Sequence, residues 1–262
     1  MQIERPARAT VGGVMATALL ATAGVTGVIG GTAHSAAAAT GDRDFVLTQG
    51  HIDLFDVRYD SAARALRLQV KDETGLHASG SQLRAPEDVT IAVDEERAEL
   101  QVPPAPAYDF LGDPGDTIYV LPEVQDSALP WPGWSTEELA GTLPPGVTLA
   151  GGQPVGLSVT VEGPGEVHTW QSGASGGPIN RYVDTSDGGP DIIPVGPNNH
   201  VHTNWSFSEL GSYELTVTPT ARTSTGASLT GPASSYHFRV GDGPTTPPTT
   251  PPTTPPTTPP TT

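Results

Sequence analysis

The chain has 262 residues, a net charge of −17 and no cysteine. A surface so acidic repels nucleic acid and anionic lipid, and the lack of cysteine excludes a disulfide scaffold and thiolate chemistry. Stability must come from burial alone, which suits a folded core of about 200 residues.

In chain order, the first feature is a basic start, Arg5 and Arg8, before an Ala/Gly/Val-rich stretch from Val11 to Ile29 and a small-residue exit, Ser35 to Ala39. This is the plan of a secretory signal peptide over residues 1–39. No later apolar run reaches the ~18 residues of a membrane span, so the mature chain as given is expected to have none. Residues 40–242 read as one domain. Short alternating runs separated by Gly, Pro, Asp and Asn predict strands over Ile52–Tyr59, Ala65–Lys71, Val89–Val93, Thr117–Leu121, Gly156–Glu162, Val167–Gln171, His200–Phe207, Ser212–Pro219 and Tyr236–Val240. Leu66, Leu68 and Val70 alternate with Arg67, Gln69 and Lys71, and Tyr213, Leu215 and Val217 follow the same rule. One buried face per strand predicts an all-β fold, an antiparallel β-sandwich (Ig-like or related) of two facing sheets.

Helix is expected at one place, where Ser135 and Glu138 have capping-box spacing. Gly173 to Pro197, rich in Gly, Ser, Asp and Pro, reads as a recognition loop, and Trp131 and Trp134 read as exposed in a Pro/Gly loop where glycans can stack. Residues 243–262 repeat Pro-Pro-Thr-Thr and predict an extended, disordered linker or stalk. The sequence ends inside that repeat, so the anchor is absent or truncated, or the protein is released.

The segment with chemical content is His200-Val201-His202-Thr203-Asn204-Trp205-Ser206-Phe207. Period two puts Val201, Thr203, Trp205 and Phe207 toward a core and His200, His202, Asn204 and Ser206 on the other face. Imidazoles two residues apart on a strand stand about 6.5–7 Å apart at the backbone and can converge on one ion. His51 and Asp53 form a second such pair opposite Ile52 and Leu54, and His168 is a further donor. Together they offer the three or four N/O ligands of a zinc or manganese site, if the strands meet. Exposed strand histidines without a ligand remain the competing reading.

Gly50-His51-Ile52-Asp53-Leu54, the H-x-H-x-N-W-x-F string at 200–207 and Gly211-Ser212-Tyr213 resemble the actinobacterial surface-anchored repeat domain, also called the choice-of-anchor M domain. Leu111-Gly112, Tyr119 to Pro122, Gly133-Trp134-Ser135, Val161 to Gly165 and Phe238 to Gly241 extend the resemblance over residues 44–241. It implies a domain at the cell surface or cell wall, alongside ABC transporter components of the metal-uptake type. His51, His200 and His202 are then the leading ligands, with Asp53 or Asn204 completing or orienting the site and His168 the most remote candidate.

The function expected is capture of a divalent transition metal, or a metal-containing ligand, for such an uptake system. The alternative is a structural or adhesive surface protein with no metal site. An enzyme is not expected, because no G-x-S-x-G, H-E-x-x-H or phosphate-cradling loop is present, and pairing Asp53 with Glu166 or Asp184 as catalytic carboxylates has no support beyond their abundance.

Overall fold

The computed structural model describes residues 41–242. The expected signal peptide and the expected Thr/Pro stalk lie outside the described residues. The strands are β1 (Phe45–Leu47), β2 (Gly50–Asp60), β3 (Ala65–Asp72), β4 (Gln82–Arg84), β5 (Val89–Val93) and β6 (Glu99–Gln101). They continue as β7 (Thr117–Leu121), β8 (Pro130–Ser135), β9 (Val155–Glu162), β10 (Val167–Ser172), β11 (Pro178–Asp184) and β12 (Asp191–Val195). The last are β13 (His200–His202), β14 (Asn204–Phe207), β15 (Gly211–Arg222), β16 (Ser228–Thr230) and β17 (Ser234–Val240). Among the described residues no helix is long and apolar enough to cross a membrane.

The fold is all-β, and the strands form three sheets instead of two. The largest runs β1-β5-β17-β15-β9-β12 with β16 on β15, the second β11-β10-β14-β7-β6, and the third β13-β8-β2-β3-β4. Pairing is mostly antiparallel, but β5 runs parallel to both β1 and β17, and β2 runs parallel to β8. These parallel neighbours depart from the all-antiparallel expectation, because period-two alternation reports which face is buried and is silent on strand direction.

One core joins all three sheets: Ile91, Leu215 and Phe238 from the first, Leu121, Trp205 and Phe207 from the second, Phe55, Leu68 and Trp134 from the third. Strict alternation along β15, buried at every second residue from Gly211 to Ala221, places one side of that long strand in the core. A smaller cluster of Val102, Leu111, Ile118, Val120 and Trp170 forms a second apolar group, built largely on the second sheet. The Tyr213 hydroxyl donates to the Glu209 carbonyl at 2.7 Å, the tyrosine-corner arrangement that ties a strand to the connection before it.

Several expectations change. The predicted strand His200–Phe207 breaks at the fully buried Thr203, and its halves enter different sheets, β13 beside β8 and β14 between β10 and β7. A strand that turns a sandwich corner keeps its extended backbone while it changes partners, so alternation alone does not reveal the switch. Gly173 to Pro197 contains β11 and β12 and is not a free loop. Its alternation is masked by Asn180, which takes a left-handed φ of 37°, and by register shifts in the β10–β11 pair. Pro130 to Ser135 forms β8, and Trp134 is buried in the core, which removes it as a glycan platform. The helical turn begins at Leu139, with Glu138 as a cap whose side chain makes no capping bond; Ser135 instead ends β8.

Candidate metal centre

The third sheet builds the site from three adjacent strands. β8 lies in the middle, with β2 parallel on one side and β13 antiparallel on the other. Gly133 of β8 is the register partner of both Asp53 and His202, while Trp131 pairs with His51 and Ser135 with His200. Register partners on neighbouring strands, and residues two apart along each strand, present side chains to the same side, so four donors surround a central strand position that carries no side chain. That vacancy is required. A Cβ on Gly133 would collide with the Val201 carbonyl oxygen and stand 2.8 Å from His202 Nδ1.

Above Gly133 the donors converge. His51 Nε2 lies 3.1 Å from His200 Nε2 and 3.0 Å from His202 Nε2, and the latter two are 3.1 Å apart. Asp53 Oδ1 is 2.7 Å from His200 Nε2 and 3.5 Å from His51 Nε2. One ligand atom from each of the four residues falls within 4.8 Å of the others, and the group can hold a metal ion. Asp53 is fully buried, and its Oδ1 accepts no hydrogen bond despite the imidazole nitrogen at 2.7 Å. The nitrogens thus face a shared centre at hydrogen-bonding distance from one another, with roles that the tautomers decide, while the buried Asp53 Oδ1 is left unpaired, a cost that a cation relieves.

Outer contacts set the tautomers. His51 Nδ1 lies 2.7 Å from Glu73 Oε2, so a proton on Nδ1 is shared with that carboxylate and Nε2 is left with its lone pair. Glu137 Oε2 approaches His200 Nδ1 at 3.5 Å. Lys71 spans Asp53 Oδ2 at 3.3 Å and Glu73 Oε1 at 3.2 Å. Burial opposes it, but bonds and charge from Lys71 and His51 hold the Glu73 carboxyl below its usual range; Lys71 is raised, against burial, by Asp53 and Glu73. The Trp131 ring stacks on His202 at 3.6 Å and 10° between planes. Burial, joined by the charges of His51 and His200, pushes His202 down to about 3, so it stands neutral and ready to coordinate at any ordinary pH. Asp56 also lies buried in this sheet, its carboxyl raised by burial although Arg58 donates to Oδ2 at 2.6 Å.

Two expected candidates lie outside this group. Asn204 belongs to β14, past the sheet switch. Its Oδ1 accepts from Glu123 N at 3.0 Å, and its Nδ2 donates to the Trp170 carbonyl at 3.2 Å and to Ser172 Oγ at 3.1 Å. It thus ties the second sheet to the connection that leads into β8. His168 sits on β10, buried between Asp184 Oδ1 at 3.3 Å from Nδ1 and Glu166 Oε2 at 3.5 Å from Nε2. Carboxylates on opposite ring edges do not converge, and burial lowers this imidazole in spite of both of them. Gly133, Trp131, Glu73 and Lys71 were missed in the sequence, the first two because Pro130 and Pro132 mark a loop by composition. Glu73 and Lys71 follow no motif spacing, and only the pairing of β3 with β2 brings them in.

Compared with protein-family models, with curated proteins and with solved structures, the chain finds no match.

Proposed function

We propose that this is an extracellular, surface-anchored binding domain that captures a divalent transition metal, zinc or manganese, or a ligand containing one, for an associated ABC uptake system. The single observation that carries the reading is the convergence of three imidazole Nε2 atoms to within 3.1 Å of one another, beside a buried carboxylate oxygen that accepts no hydrogen bond. Histidine with carboxylate is a donor set suited to these ions, and the Glu73 contact supplies the outer-sphere orientation that ligating histidines usually have. The resemblance to the actinobacterial surface-anchored repeat domain, the signal-like start and the Thr/Pro stretch support its location and its proposed partner. The reading assigns binding and no catalytic step.

The test is metal content and melting temperature of the purified chain, with and without a chelator, beside a His200→Ala/His202→Ala variant. Near-stoichiometric metal, lost in the variant, with a melting point lowered by chelation, is the expected result. Failure to bind any metal would leave the structural or adhesive reading in its place.

A further inference from the structure

The separations between donors carry information about the shape of the coordination sphere. With an ion about 2.1 Å from every donor, a tetrahedron makes all six donor separations about 3.4 Å; right-angle geometry makes neighbours about 3.0 Å apart and opposite donors about 4.2 Å. Here the three Nε2 atoms are separated by 3.0, 3.1 and 3.1 Å. Asp53 Oδ1 lies 2.7 Å from His200 and 3.5 Å from His51, yet Asp53 makes no approach to His202 within 4.0 Å, although all four donors stay within 4.8 Å. Five short separations and one long one describe four corners of an octahedron, with Asp53 opposite His202.

We infer that an ion held here keeps two adjacent positions, opposite His51 and opposite His200, free of protein donors and binds a small bidentate oxygen chelate, a dicarboxylate, in them. This rests on the metal-capture reading and specifies its ligand: a metal–chelate complex instead of a bare ion. Three further observations agree. Among the described residues no other His, Asp or Glu joins the group. Glu73 and Glu137 engage the outer Nδ1 atoms of His51 and His200, on the far side of each ring from the centre. The side chains of His200 and His51 are 30% and 18% exposed, so the cluster meets solvent at its histidine edge, while Asp53 is closed off. A divalent ion with one carboxylate ligand remains positive itself, and Lys71, between Asp53 and Glu73, offsets one of the two flanking carboxylates, Glu73 and Glu137.

The experiment loads the full chain with Co²⁺, whose visible bands are weak when six-coordinate and intense when four-coordinate, and then titrates oxalate. The expected result is a weak spectrum that shifts on oxalate addition and saturates at one oxalate per protein, with cobalt still bound after desalting. An intense spectrum indifferent to oxalate, or cobalt stripped by oxalate, overturns the open-site inference and leaves metal capture standing. No cobalt uptake beyond that of the His200→Ala/His202→Ala variant overturns both together.

Discussion

His202 and His168 are both strand histidines, and burial lowers the basicity of each. At His202 the neighbours are two more imidazoles on the same sheet face, and every Nε2 is aimed at one point over Gly133. At His168 the neighbours are carboxylates on opposite ring edges, each near a different nitrogen, and neither nitrogen is hydrogen-bonded. The same residue types therefore give converging donors in one place and a buried ring between divergent carboxylates in the other. What separates them is the direction of the lone pairs, which the register of β2, β8 and β13 fixes.

The comparison breaks most sharply if the first cluster is dismantled. His200→Ala/His202→Ala is expected to abolish stoichiometric metal binding. A ligand at 100 times its Kd stabilises by about 2.7 kcal/mol, which for a domain of this size raises Tm by roughly 5–10 °C. Differential scanning calorimetry with and without chelator should show that increment in the native chain and not in the variant.

Acid offers the next largest effect. His202 titrates near 3 when folded and near 6.5 when unfolded, so between those values the unfolded chain holds more protons. Stability is therefore complete above about pH 6.5 and is lost progressively as pH falls toward 3, with His168 contributing in the same direction. Denaturant titrations of metal-free protein at stepped pH should give that slope. A flat profile over this range would contradict the buried, neutral state of both rings.

Gly133→Ala tests whether the empty centre of β8 matters. The added methyl must displace His202 or the Val201 carbonyl, and a loss of affinity of about 100-fold is expected, at the upper end of what outer-sphere changes cause. Glu73→Ala removes the partner of His51 Nδ1 and should weaken binding about 10-fold. Isothermal titration calorimetry with Zn²⁺ or Mn²⁺ ranks the two. His168→Gln closes the series: metal stoichiometry and affinity should be unchanged, because that ring lies outside the converging group. A substantial loss there would mean that the two clusters act as one.

The sequence by itself determined the all-β class, eight of the nine strands read from alternation, the burial of Trp205 and the pairing of His51 with Asp53 and of His200 with His202. Each of these is a local property: period two decides which side chains share a face, whatever the strand pairs with. Tertiary structure decided the rest. It alone placed β2 and β13 on either side of β8, so that two i, i+2 pairs far apart in the chain meet over one glycine. It also moved Asn204 away from the histidines by switching sheets at Thr203, a change of partner that leaves the alternation of the sequence unaltered. Proline and glycine hid β8, since their composition reads as a turn unless a neighbouring strand supplies the pairing. Convergence depends on long-range strand register, and no spacing within a single strand encodes it.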